Sequence, residues 1–193
     1  MMDYKQRLED MYSYTNSHLI EYTNTKSQSA TTLNPNYVTR VQLIKAHVEN
    51  RYNTGDNTVE VKLKQEKASV HNRYCISHAK FEKNEYAVFA YGEQQSLNYL
   101  FSLCHEVGHL IDFSKRGINV AFKRDRNDEI DKEIKAWTYG FRFAFIFGYM
   151  SREEIELGFP DAMLSLATYY KYHRIPFEEF LATVEQIKKE VFA

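Results

Sequence analysis

The residues of this sequence best suited to chemistry are two histidines four positions apart with a glutamate after the first, His105-Glu106-Val107-Gly108-His109. In a helix, residues four apart share a face and lie about 6 Å apart along the axis, so two imidazoles can converge on one ion. Zinc suits such a pair: neutral imidazole is a good ligand for it, and a catalytic site uses three protein ligands and leaves a fourth position for water. Glu106, next to the first ligand, is then placed to take a proton from that water and later deliver it to a leaving amine. The implied reaction is hydrolysis of a peptide bond by a metal-activated water with Glu106 as general base. The bland alternative is a helix carrying two half-exposed polar histidines.

Such a site needs a helix that holds it and a third ligand. Leu97, Leu100, Phe101, Cys104, Val107 and Ile111 recur at helical spacing and predict a core-facing stripe. Asn98, Ser102, His105, His109 and Asp112 form a second, polar stripe on the same helix, with Glu106 beside it. Downstream, Ile130, Ile134, Trp137, Phe141 and Phe145 predict another core stripe, flanked by Glu133, Ala136, Gly140 and Ala144. One carboxylate followed by small residues allows a close helix crossing that would carry Glu133 to the ion, and Gly108 would help. A mid-helix glycine costs about 1 kcal/mol relative to alanine. Glu133 is the expected third ligand. Glu129, one turn earlier, is the alternative and a possible supporting partner. The acidic run around them would otherwise be a solvated first turn.

His105-Glu106-Val107-Gly108-His109 followed by Glu133-Ile134-Lys135-Ala136-Trp137 resembles the gluzincin arrangement, particularly the ImmA/IrrE-like metallopeptidases, over residues 85–149. The resemblance implies zinc bound by His105, His109 and Glu133, with Glu106 as general base. It also implies that the strand at 85–91 is an edge along which substrate lies extended. Ile134-Lys135 before Ala136 departs from the commonest form of the motif, and leaves the ligand register open between Glu129 and Glu133.

Other residues carry weaker signals. His173, with Tyr169 or Tyr170, precedes Pro176 and could donate a hydrogen bond to a tetrahedral oxyanion; aromatic packing is the alternative. Asp112 could orient a histidine ligand or simply end a helix. Lys115, Arg116, Lys123, Arg124 and Arg126 form a local basic cluster, but Asp125 and Asp128 among them argue against nucleic acid. Cys104 sits in the apolar stripe, which predicts an inert buried thiol.

The rest of the chain reads as scaffold. Leu8, Met11, Tyr12, Thr15, Leu19 and Tyr22 predict one N-terminal helix, and Tyr37, Val41, Ile44, Val48 and Tyr52 a second, with a polar connection at 25–36. Val59, Val61 and Leu63 alternate with charged residues and predict a strand. Tyr74, Ile76 and the segment 85–91 predict two more, paired as a hairpin. Ser151-Arg152-Glu153-Glu154 has capping-box spacing; Gly158 is expected to end that short helix, with Pro160 and Pro176 opening the next two. Residues 1–193 are therefore expected to form a single α+β domain, zincin-like: N-terminal helices, a small antiparallel sheet, the HExxH helix and a helical C-terminal half.

A net charge of -1 gives no general attraction to nucleic acid or anionic membranes. The charged N-terminus, the short apolar run at 143–150 and two cysteines without metal spacing, Cys75 and Cys104, predict a soluble cytoplasmic protein. The expected partner is a peptide or protein substrate, with no membrane. The expectation is a zinc peptidase. The rival is a zinc-binding regulatory or macromolecule-binding module that has lost efficient hydrolysis, and non-peptide amide hydrolysis is a third possibility.

Overall fold

The computed structural model describes residues 4–13, 32–55, 57–64, 76–82, 85–122 and 125–193. Among them run α1 (Tyr4–Ser13), α2 (Asn36–Tyr52), β1 (Thr58–Lys64), β2 (Ile76–Glu82), β3 (Glu85–Tyr91), α3 (Leu97–Arg116), a 3-10 turn (Ile118–Phe122), α4 (Arg126–Ile146), α5 (Arg152–Tyr172) and α6 (Phe177–Val191). The chain is mixed α and β, mostly helical, with one three-stranded sheet.

The sheet corrects two expectations. It is mixed rather than antiparallel: β2 and β3 pair antiparallel as a hairpin, but β1 pairs parallel to β3. Strand order is β1-β3-β2, so 85–91 is the central strand and cannot be an edge. The period-two pattern places Val59, Val61, Val88 and Ala90 on the buried face, but that pattern is the same for either strand direction. β1's outer edge is occupied by α2: Glu49 accepts from the Val61 amide at 2.9 Å, and the Asn53 amide donates to the Val59 carbonyl at 3.1 Å. Covering an edge in this way blocks further strand pairing. Among the described residues β2 is the edge left unpaired.

The expected helical stripes are buried. Leu97, Leu100, Phe101, Cys104, Val107 and Ile111 all enter the core, as do Tyr37, Val41, Ile44 and Val48 of α2 and Leu8 and Met11 of α1. Thr15, Leu19, Tyr22, Tyr74 and Cys75 lie outside the described residues, as does most of the connection at 25–36. Ser96 caps α3 by accepting from the Tyr99 amide at 3.1 Å. Ser151 and Glu154 form the capping box at the start of α5, and Pro176 immediately precedes α6.

A third correction concerns α5, which runs unbroken through Gly158 and Pro160 to Tyr172. A proline inside a helix forfeits one hydrogen bond and costs about 3 kcal/mol. Here Gly158 and Pro160 are buried between Ile155, Phe159, Met163 and Leu166, so tertiary packing on both sides of the proline outweighs its local preference. α1 packs along α5: Arg7 pairs with buried Asp161 in its middle, and the Tyr12 hydroxyl donates to the Ile175 carbonyl just beyond its end. No helix among the described residues is long and apolar enough to cross a membrane.

Candidate metal centre

The site is built on the crossing of α3 and α4. A Cβ on Gly108 would stand 1.9 Å from the Ala136 carbonyl oxygen, and one on Gly140 would stand 2.1 Å from that of Cys104. Two glycines four residues from their opposite partners, Cys104 facing Gly140 and Gly108 facing Ala136, fix an antiparallel approach with backbones in contact. The expected stripe of small residues therefore does what its composition suggested. It lets Glu133 reach the two histidines on the neighbouring helix.

The Glu133 carboxylate lies 3.3 Å from His105 Nε2 through one oxygen and 3.5 Å from His109 Nε2 through the other. All three ligand atoms fall within 4.8 Å of one another. Two ligands about 2.0–2.1 Å from a tetrahedral zinc stand about 3.3–3.4 Å apart, whereas a good N–H···O hydrogen bond is about 2.7–3.2 Å. The two spacings fall on or just beyond the ligand separation and outside the hydrogen-bond range. Two imidazoles and a carboxylate are also a donor set that zinc accepts. The residues present thus fit a zinc ion. Glu129 points elsewhere: its carboxylate is 3.6 Å from His173 Nε2.

The electrostatics are those of a mutually dependent cluster. Burial pushes the Glu133 carboxyl up, but its interaction with the adjacent His105 and His109 outweighs this and holds the group far below the usual carboxylate range. For His105 burial pulls the value down, and Glu133, helped by Glu106, raises it above its ordinary 6.5 overall. Glu106 is only 5% exposed, on the same helix between the two histidines. The buried Nδ1 atoms of His105 and His109 have no hydrogen-bonding partner among the described residues.

Aromatic rings set the imidazole orientations, which the sequence reading missed. The Trp137 ring lies 4.3 Å from the His105 ring, and the indole N–H donates to the Ser165 hydroxyl of α5 at 3.0 Å. Phe113 stacks on His109 with centroids 5.8 Å apart, and packs edge-on against Phe81 of β2 at 4.4 Å. The signal was present in the spacing: Trp137 lies one turn after Glu133, and Phe113 one turn after His109.

α5 closes the site along an antiparallel ladder in steps of four: Trp137 with Ser165, Glu133 with Tyr169, and Glu129 with His173. Burial first, then the charge of Glu133 and a hydrogen bond to it, push the Tyr169 phenol above its ordinary value; Glu129 and Glu106 add to the effect. Tyr169 is therefore held protonated, with Glu133 the carboxylate that acts on it most. Tyr170 turns away, its hydroxyl 2.7 Å from that of Thr183. His173 faces Glu129 rather than the His105, His109 and Glu133 group.

The remaining candidates are engaged elsewhere. Asp112 is fully buried and accepts from Arg116 Nε at 2.7 Å, and Arg116 also pairs with Asp131. Lys115 sits over the Tyr139 ring at 3.9 Å. These partners break up the basic cluster, of which Lys123 and Arg124 lie outside the described residues. Cys104 is buried and its thiol is pushed up by desolvation, as an inert core residue should be. Comparison of this chain with protein-family models, with curated proteins and with solved structures gives no match in any of the three.

Proposed function

We propose that this protein is a zinc-dependent peptidase of gluzincin type, with His105, His109 and Glu133 as the metal ligands. The observation that carries the reading is the convergence of those three donors, with the Glu133 carboxylate at ligand-to-ligand spacing from both imidazoles and the buried Glu106 on the same helix as the histidines. Zinc bound there would polarise a carbonyl and make water nucleophilic at neutral pH.

The chain's own residues supply the rest. Glu106 accepts a proton from the attacking water and returns it to the leaving amine. Tyr169, held protonated and acted on by Glu133, would donate a hydrogen bond to the oxygen on which negative charge develops. Trp137 and Phe113 hold the imidazole planes. The substrate chain would lie extended against β2, the edge left unpaired among the described residues, rather than along β3. β1's edge is blocked by α2, while Phe81 links β2 to Phe113 and so to His109.

The test separates metal binding from catalysis. Purified protein should hold about one zinc per chain. Glu106→Gln keeps the side chain's shape but cannot accept the proton, so zinc content should stay near wild type while turnover falls at least roughly 100-fold. Full turnover in Glu106→Gln sinks the mechanism. A zinc-loaded wild type that cleaves nothing across a broad peptide library favours a regulatory zinc module instead.

A further inference from the structure

Three carboxylates stand on the two crossing helices that build the site: Glu129 and Glu133, one turn apart on α4, and the buried Glu106 of α3. The proposed peptidase uses two of them, one as a ligand and one as the proton acceptor. Glu129 has no task in it. Its side chain is 34% exposed, and its one ionic neighbour among the described residues is His173 Nε2 at 3.6 Å, beyond hydrogen-bond range. That Nε2 is itself buried without a hydrogen-bonding partner. Next to it Tyr172 is 76% exposed, with its ring edge-on to His173 at 5.0 Å. Glu129 in the first turn of α4 and Tyr172 in the last turn of α5 are thus both neighbours of His173, and both reach solvent.

The charge balance says what this corner attracts, given the zinc reading on which the inference rests. With neutral imidazole ligands, a divalent ion offsets two of the three carboxylate charges. The charge left over belongs to Glu129, which neither binds the ion nor takes the proton. A carboxylate beside an aromatic ring favours a cation through both ion pairing and the ring quadrupole. Glu129 precedes Glu133 by one helical turn, about 6 Å. That separation is within the reach of a lysine or arginine side chain whose backbone lies at the metal ligands.

The geometry points to Glu129 and Tyr172 as a subsite for a basic side chain on the residue flanking the scissile bond. The peptide that this site prefers carries lysine or arginine there, with the ammonium or guanidinium at Glu129 and the ring of Tyr172 against it. His173 is a positioning residue that holds this corner of α5 against α4.

Binding, not turnover, tests this. The zinc-loaded full chain carrying Glu106→Gln is titrated with two peptides that differ only in lysine or norleucine next to the central bond. The lysine peptide should bind about tenfold tighter, and the difference should shrink with added salt. Adding Glu129→Gln should bring the two affinities close to equality. Tyr172→Ala, at a largely exposed position, should reduce the difference in part. Equal affinities in the starting protein, or a lysine preference that survives Glu129→Gln, overturns the subsite. If zinc is taken up but neither peptide binds, the peptidase reading falls and the subsite with it; the zinc measurement tells that failure apart from a missing basic preference.

Discussion

Gly108→Ala tests the feature on which the whole site depends, the backbone contact between α3 and α4. Helix propensity taken alone favours the change, since alanine in a helix interior is better than glycine by about 0.8–1.0 kcal/mol. The structure demands the opposite sign. The new methyl carbon would stand 1.9 Å from the Ala136 carbonyl oxygen, 2.7 Å from its carbon and 2.9 Å from its Cα, and all three are backbone atoms that no rotamer change can move. Restoring ordinary contact requires the helices to part by at least about 1 Å. Overpacking of this kind costs about 1–3 kcal/mol, so the net loss should exceed 1 kcal/mol even after the propensity gain. The same displacement carries Glu133, three residues from Ala136, away from the two histidines now 3.3 and 3.5 Å distant. Chemical denaturation should show a lowered midpoint, and a competition titration should show zinc affinity reduced at least about tenfold. The variant is then compared with Gly148→Ala, which has open space around its Cβ but a φ of 68°; that change should cost stability through backbone strain and leave zinc affinity alone. A Gly108→Ala protein as stable as wild type, with unchanged zinc affinity, would refute the close crossing and the ligand assignment that follows from it.

Two further outcomes follow from the site. Glu133→Ala should weaken zinc binding at least roughly tenfold, whereas Glu129→Ala, which faces His173, should act mildly; the reverse ranking in a competition titration moves the ligand by one helical turn. In metal-free protein, Glu133, depressed below its ordinary 4.5, contributes stability above that value and loses it as pH falls through the lowered one; His105, raised above 6.5, contributes fully below 6.5 and loses it as pH rises through the raised value. Both contributions are complete between 4.5 and 6.5, so thermal stability without metal should peak in that window and the peak should vanish in Glu133→Gln. Zinc should move the optimum upward, because it binds the deprotonated ligands. Identical, flat profiles for both proteins would refute the pairing.

Much of this was legible in the sequence because it depends on one helix at a time. The histidine pair, the core stripe of α3, the small residues after Glu133 and the capping box at Ser151 are all statements about spacing on a single element, and spacing is what a sequence records directly. The closeness of the crossing was legible too, since Gly108, Ala136 and Gly140 have no other evident use in helix interiors. What a single element cannot encode is direction relative to its neighbours. The alternation of Val59, Val61 and Leu63 is identical in a parallel or antiparallel partnership, so β1's pairing to β3, and with it the identity of the free edge, depends on where α2 lies. Pro160 misled for a related reason. Its local preference is real, but the burial of Phe159 and Met163 around it is a tertiary fact.

The choice among Glu129, Glu133, Tyr169, Tyr170 and His173 shows where the missing information resides. Helical periodicity places Glu129 with Glu133 on α4 and Tyr169 with His173 on α5, each pair one turn apart, but it leaves the offset between the two helices free. Trp137 fixes that offset by donating to Ser165. Counting back four residues on α4 and forward four on α5 then brings Glu133 to Tyr169, and four more bring Glu129 to His173. Tyr170, one position out of step, is rotated about 100° away and finds Thr183 instead. On the other side of α4, Gly108 against Ala136 fixes the offset to α3 in the same manner. Two contacts, one an indole hydrogen bond and one a missing methyl group, therefore decide which carboxylate meets the histidines and which is left facing His173.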